Sequence, residues 1–233
     1  MEGMREELRV EITPSMRVTA LAYPATAHDR AGSTLIIGHG AGASQTSDFM
    51  VNLATGLAAR GVDVLTFNFF YMEYGRRVPD PNDKLETCYR AVIETARHHG
   101  KFGGNALVIG GKSMGGRIAS QIAARDAGGL AGLVLFGYPL HPPGRPEKLR
   151  TKHLSGINAP MLFVQGSRDG FGTPHELQPF LGNLKPRVKL YVVEGGDHSF
   201  KVLKSSRFTQ QEVYEAIYDQ VAHWLHEHGA TSR

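Results

Sequence analysis

The chain of 233 residues has 41% hydrophobic and 21% charged side chains, a balance that suits a folded α/β protein and excludes disorder or a fibrous repeat. Its formal net charge of +4 comes from dispersed lysines and arginines, with no aromatic RNA-binding strand or zinc-finger spacing, so no nucleic-acid partner is expected. The lone cysteine, Cys88, excludes an internal disulfide, and neither an apolar leader over Met1-Glu2-Gly3-Met4-Arg5-Glu6-Glu7 nor a membrane-spanning apolar run is present, so a cytoplasmic protein with no membrane segment is expected.

Leu8 to Ile12 and Arg17 to Tyr23 alternate and are joined through Pro14-Ser15, which predicts an antiparallel pair. Thr34 to Gly38 is a short continuous apolar run, as in a strand buried on both faces. Met50, Leu53, Ala54 and Leu57 then share one helical face, with Gly61 placed to close the helix as its C′ residue. A buried strand over Val62 to Phe67 leads to a helix from about Asp83 to His99, on which Cys88 sits with Leu85 and Val92 as a core residue. A strand at Ala106 to Ile109, a helix after Ser113, and strands at Leu133 to Phe136, Met161 to Gln165 and Val188 to Val193 follow. Thr209 and Glu212 form a capping box that opens the last helix, with an apolar stripe of Val213, Ile217, Val221, Trp224 and Leu225. Strands alternating with helices imply an α/β fold, a mostly parallel, doubly wound sheet in one domain over 1–233. The stretch Tyr138 to Ile157 is too short for a large helical lid.

In such sheets ligands bind beyond the carboxyl ends of the strands. After Ala106 to Ile109 stands Gly111-Lys112-Ser113-Met114-Gly115-Gly116, a G-x-S-x-G pattern. In a chain with 28 glycines the pattern alone says little; its place between a buried strand and a helix is what singles it out. A nucleophile on so sharp a turn needs small neighbours, and the turn aims the next helix's N-terminus at developing negative charge. A serine needs a base, and the base needs an orienting carboxylate. His198 follows the last strand and Asp169 follows the strand before it, so Ser113, Asp169 and His198 each sit at a different strand end. Asp197 competes for the acid role, but adjacency to His198 makes the far side of that ring hard to reach.

The oxyanion hole needs two backbone N–H donors. Met114 is expected to supply one, and the glycine-rich loop Gly38-His39-Gly40-Ala41-Gly42 the other, through Ala41 or alternatively Gly42. His39, Gly40, Phe69, Phe70, Tyr71, Arg76, Arg77 and His141 lie on loops at the same sheet edge and are candidate substrate contacts. The cations there, with Arg145, Lys148 and Arg150, raise the expectation of an anionic substrate. Gly111-Lys112-Ser113 resembles the end of a phosphate-binding loop, yet the required earlier glycine is Ala106, so that reading fails. His223, His226 and His228 look like the exposed end of a helix, and without an H-E-x-x-H or Cys/His set no metal is expected.

These motifs resemble the α/β-hydrolase superfamily. The residues that carry the likeness are His39-Gly40-Ala41-Gly42, Gly111 to Arg117, Tyr138-Pro139-Leu140-His141-Pro142, Lys148-Leu149-Arg150, Leu162 to Gly166 with Asp169, and Asp197-His198-Ser199. The chain looks most like a small lidless branch related to dienelactone hydrolases and to hydrolase-like homologues of a non-specific-lethal chromatin-complex subunit. The resemblance implies eight strands, no cofactor and ester-like substrates. One departure is that dienelactone hydrolases proper use a cysteine nucleophile, where this chain has Ser113. The expected function is a serine hydrolase acting on a small carboxylic ester or thioester through an acyl-enzyme; the alternative is a hydrolase-like scaffold that binds protein partners without turnover.

Overall fold

A computed structural model of the chain describes residues 5–126, 128–184 and 187–229; the first four residues read above lie outside them. The chain opens with β1 (Glu6–Thr13) and β2 (Met16–Tyr23), the expected antiparallel pair. Then come β3 (Ser33–Gly38), α1 (Asp48–Ala58), β4 (Asp63–Phe67), a short α2 (Phe70–Glu73), α3 (Asn82–His98), β5 (Ala106–Lys112) and α4 (Met114–Arg125). The second half holds β6 (Leu130–Phe136), a 3-10 turn (Leu154–Gly156), β7 (Met161–Gly166), α5 (Pro174–Leu181), β8 (Val188–Val193) and α6 (Gln210–Gly229).

The eight strands form one sheet in the order β1-β2-β4-β3-β5-β6-β7-β8. From β4 to β8 all neighbours are parallel, while β2 runs antiparallel to both β1 and β4. The strand order reverses between β3 and β5, which pair directly with Gly38 opposite Gly111. This is the crevice where doubly wound sheets place their ligands.

Each face of the sheet has its own core. One packs the α1 residues Met50, Leu53 and Leu57 and the α6 residues Ile217, Val221, Trp224 and Leu225 against Leu35, Val64, Val134 and Leu162. The other packs α3 and α4, through Leu85, Tyr89, Val92, Ile118 and Ile122, against Ile36, Leu65, Ile109 and Leu135. Successive side chains of a strand point to opposite faces, so fully covered strands read as the continuous apolar runs seen in β3 to β7. Cys88 is buried in the second core.

Local chemistry explains the element ends. The turn after α1 closes with Gly61 N–H donating to Ala58 C=O and Val62 N–H to Leu57 C=O, both at 3.2 Å. Gly61 takes φ 84°, and a Cβ there would stand 1.9 Å from Asp29 O, so this position admits only glycine. Glu212 N–H donates to Thr209 Oγ1 (3.2 Å) and Thr209 N–H to Glu212 (2.7 Å), the reciprocal pair expected before α6. The sequence reading omitted α5, although Thr173-Pro174-His175-Glu176 carries the same signal and forms the same box. At the far end of α6 the exposed-tail reading is revised. Only His223 is exposed; His226 bonds Arg60 C=O at 3.0 Å, and His228 stacks on Trp224.

Tyr89 ties helix to sheet beside the crevice. Its buried hydroxyl accepts from Gly110 N–H (3.0 Å) and lies 2.7 Å and 2.8 Å from the carbonyls of Gly110 and Ile36, to one of which it donates. Burial pushes this phenol well above the ordinary tyrosine range. Tyr89→Phe removes those hydrogen bonds from a buried position. It is expected to cost about 1–3 kcal/mol in urea unfolding with an unchanged m-value; an unaltered midpoint would refute the tie.

Candidate active site

β5 runs to Lys112, three residues beyond its expected end, so Ser113 stands at the junction of strand and helix. The turn is held by backbone crowding. A Cβ at Gly115 would lie 2.1 Å from Gly38 O, and one at Gly111 would lie 2.5 Å from the same oxygen. Gly116 faces Gly111 O at 2.6 Å in the same sense. With no side chains between them, the end of β3 and the start of α4 meet backbone to backbone. Ser113 is left at φ 50°, ψ −111°, a region that costs a non-glycine residue about 1–3 kcal/mol.

From that turn Ser113 Oγ reaches His198 Nε2 at 2.9 Å. His198 Nδ1 lies 2.8 Å and 3.0 Å from the two carboxylate oxygens of Asp169. A carboxylate can only accept, so the proton sits on Nδ1 and Nε2 is left to accept from the serine hydroxyl. Asp169 is 1% exposed and fully bonded, accepting also from Phe171 N–H (2.8 Å) and Gln165 Nε2 (2.9 Å). The buried Gln165 is a hub that the sequence reading did not single out. Its amide also donates to Gly172 C=O (2.7 Å), and its oxygen accepts from Tyr138 N–H (2.8 Å). Phe171 stacks on the imidazole with ring centres 4.2 Å apart. Asp197 turns away: its carboxylate accepts from the amides of Ser199 (2.7 Å) and Lys201 (2.9 Å), holding the loop that presents His198.

A cleft of about 340 Å³ lies over Ser113, lined by Ala41, Pro79, Asp80, Asn82, Leu85, Met114, Arg117, Pro139, Arg150 and Phe171. Ala41 and Met114 thus share the cleft with the serine, and among the described residues neither N–H has an acceptor within the protein. A Cβ at Gly40 would stand 3.7 Å from Ser113 Cβ, so this loop runs beside the serine. A larger groove of about 430 Å³, near Glu7, Thr19, Gln45 and Glu73, has neither the serine nor the histidine in its wall.

The other candidate contacts are revised. His39 is fully buried, its Nδ1 donating to Gly40 C=O (2.8 Å) and its Nε2 accepting from Phe69 N–H (3.1 Å). Burial lowers its pKa to about 4, so it is a neutral strut beneath the loop. Phe69 and Tyr71 pack edge-on against that ring and are themselves buried, while Phe70 lies under the Arg76 guanidinium. Arg76 is ion-paired to Asp80 at 2.9 Å, and Arg77 is exposed off the cleft. His141 is buried, Nδ1 on Pro142 C=O (2.9 Å) and Nε2 3.3 Å from Glu176 on α5. Of all these, none lines the cleft. Arg117 and Phe171, which do, were legible in part: Arg117 is four residues after Ser113 and so one helical turn above it. Cys88, its thiol pushed up to about 12 by burial, is inert.

Lys112 brings its amine beside this machinery, 5.6 Å from the centre of the Phe200 ring. A Cβ at Gly137, were there one, would touch both Lys112 Nζ (2.9 Å) and His198 Nδ1 (3.4 Å). Burial, partly offset by attraction to Asp169 and Asp197, lowers the lysine pKa from 10.5 to about 8.

The family described as "Alpha/beta hydrolase domain" matches residues 31–226. Among solved structures, a lidless α/β serine hydrolase from Xanthomonas campestris is 20% identical, with 96% of each chain covered and a TM-score of 0.73. Dienelactone hydrolase from Anabaena variabilis is 17% identical, covering 98% of this chain and 100% of its own, with a TM-score of 0.74. Est1E from Butyrivibrio proteoclasticus is 15% identical over 93% and 98%, with a TM-score of 0.72. At these identities the likeness shows the fold, which is the eight-stranded, lidless architecture expected from the sequence.

Two stability outcomes follow. Glycine tolerates the Ser113 backbone angles that alanine does not, so Ser113→Gly should be more stable than Ser113→Ala by about 1 kcal/mol in urea unfolding; equal midpoints would mean the turn is unstrained. Lys112 holds its proton to about pH 10.5 when unfolded but only to about 8 when folded, so the fold bears the full penalty below pH 8 and sheds it as pH rises. Lys112→Met should therefore stabilise the protein at pH 7, by roughly 1–3 kcal/mol, and by less at pH 9.5. A gain that is absent, or constant with pH, would refute the burial of that charge.

Proposed function

The chain belongs to the α/β-hydrolase domain family, and on that premise we propose that it is a serine hydrolase that cleaves a small carboxylic ester or thioester through an acyl-enzyme. The observation that carries the reading is the unbroken hydrogen-bonded chain from Ser113 Oγ through His198 to Asp169, beside two backbone N–H groups that have no acceptor among the described residues. In this reading Ser113 Oγ attacks the substrate carbonyl as His198 Nε2 takes its proton. Asp169 holds the imidazole in the Nδ1–H form and stabilises the imidazolium. Ala41 and Met114 N–H groups receive the oxyanion of the tetrahedral intermediate, helped by the positive end of α4. His198 then returns the proton to the leaving oxygen or sulfur. Water, deprotonated by the same imidazole, attacks the acyl carbonyl; the bond to Ser113 Oγ then breaks as His198 returns that proton to Oγ, and the acid leaves.

A fluorophosphonate probe tests the nucleophile. Wild-type protein should be labelled at Ser113, and Ser113→Ala should not. Asp169→Asn should lower kcat by up to roughly 10⁴, because an amide favours the wrong imidazole tautomer. Asp197→Asn should cost far less, since an amide oxygen still accepts from the loop. Wild-type protein that resists the probe and turns over no ester would favour a partner-binding scaffold instead.

A further inference from the structure

The cleft over Ser113 contains two arginines that the proposed chemistry does not use. Arg117 sits in the first turn of α4, and Arg150 comes from the segment between β6 and β7. Arg150 is held in place at both ends. Its N–H donates to Leu140 C=O (2.8 Å), its C=O accepts from Tyr138 Oη (2.6 Å), and its guanidinium reaches Pro139 C=O at 3.3 Å. Among the described residues neither arginine forms an ion pair.

Among the described residues, the acidic groups nearest the pair already have partners of their own. Asp80, on the cleft wall, is held by Arg76 at 2.9 Å. Glu86, near Arg117, is held by Arg125 at 2.7 Å and accepts from Asn82 at 3.1 Å. His153, beside Arg117, is kept neutral by burial, with a pKa lowered to about 4, and its Nε2 is engaged with Ser120 Oγ at 2.8 Å. What remains is a pair of half-buried guanidinium groups in one cleft: burial penalises the Arg117 charge, repulsion by Arg150 adds to that, and attraction to Glu86 offsets it only in part. Like charges brought together out of water raise the free energy of the empty site, and an anion placed between them lowers it. The planar donors of arginine suit the oxygens of a carboxylate or a phosphate.

Resting on the reading of this cleft as a hydrolase site, we propose that Arg117 and Arg150 are an anion-binding pair that selects substrates bearing a carboxylate or phosphate close to the scissile carbonyl. The pair replaces Arg76 and Arg77 in that role. In a cleft of about 340 Å³ the anionic group and the reacting carbonyl belong to one small molecule.

Binding and turnover test this separately. Glutarate and inorganic phosphate, followed by ligand-observed NMR, should bind wild-type protein and bind at least about 10-fold more weakly to both Arg117→Met and Arg150→Met. Exposed Arg77→Met should keep the wild-type affinity. The tighter of the two probes identifies carboxylate or phosphate as the recognised group. In turnover, kcat/KM for mono-4-nitrophenyl glutarate should exceed that for the neutral 4-nitrophenyl 5-methylhexanoate, and the ratio should fall toward one in both variants and with added salt. No anion binding to wild-type protein, or equal binding by the cleft variants, overturns the pair. Turnover of both esters without preference does so while leaving the hydrolase reading intact. Anion binding that needs Arg117 and Arg150, in a protein that cleaves neither ester, upholds the pair and moves the failure to the chemistry.

Discussion

Everything at this site depends on the absence of space between the end of β3 and the start of α4. Gly38 O occupies the volume where a Cβ of Gly111 or Gly115 would be, so strand, turn and helix meet backbone to backbone. Close packing of this kind has few alternative arrangements, because a shift of even one methylene is felt. The chain can leave β5 and enter α4 in that gap only by passing through φ 50° at Ser113. Strain at one residue is thus the geometric result of contacts made by others. The pairing of Gly38 with Gly111 also brings the Gly40-Ala41 loop against the serine, so one contact sets both the hydroxyl and the amides beside it.

The remaining partners arrive from the neighbouring strand ends by the same kind of approach. A Cβ at Gly166, the last residue of β7, would lie 2.4 Å from Gly196 O, which lets the loops bearing Asp169 and His198 run side by side. Gln165 then fixes the acid loop to the segment after β6 through Tyr138 and Gly172. A buried amide with each of its groups bonded is rigid, since any displacement leaves a donor or acceptor without water or protein to satisfy it. The polar chain from serine to carboxylate is therefore supported from behind by a second one, and neither depends on exposed charge.

Much of this was legible in the residues. Fully covered strands read as apolar runs, and order along the chain put Ser113, Asp169 and His198 at three different strand ends, after β5, β7 and β8. The misplaced loop contacts share one cause. Position in the chain says which loop a residue is on but not which way its side chain turns, and Phe69 and Tyr71 turn inward to pack on His39. For Arg76 two readings stood open, a substrate contact or an ion pair with Asp80, and the structure shows the ion pair. Arg117 could have been placed, since helical periodicity puts it above Ser113. Gln165 could not, because a glutamine at a strand end looks like any other until the groups around it are counted. The helix after Asp169 was missed for a different reason: a proline inside it, Pro179, masks a short apolar pattern that its capping box announces.

The brevity of the segment between β6 and β7 has a consequence for chemistry. Residues 137–160 hold only the 3-10 turn Leu154–Gly156, and the His198 side chain keeps 21% of its surface in solvent. Enzymes that pass an acyl group to an alcohol or amine must exclude the solvent competitor while the intermediate lives, commonly by closing over it. Among the described residues no segment forms such a cover. On the proposed mechanism, an acyl group on Ser113 would meet the bulk liquid, and the outcome would be set by abundance: solvent wins over any acceptor too dilute to occupy the cleft first. Synthetic transfer on this scaffold would require an acceptor with affinity of its own.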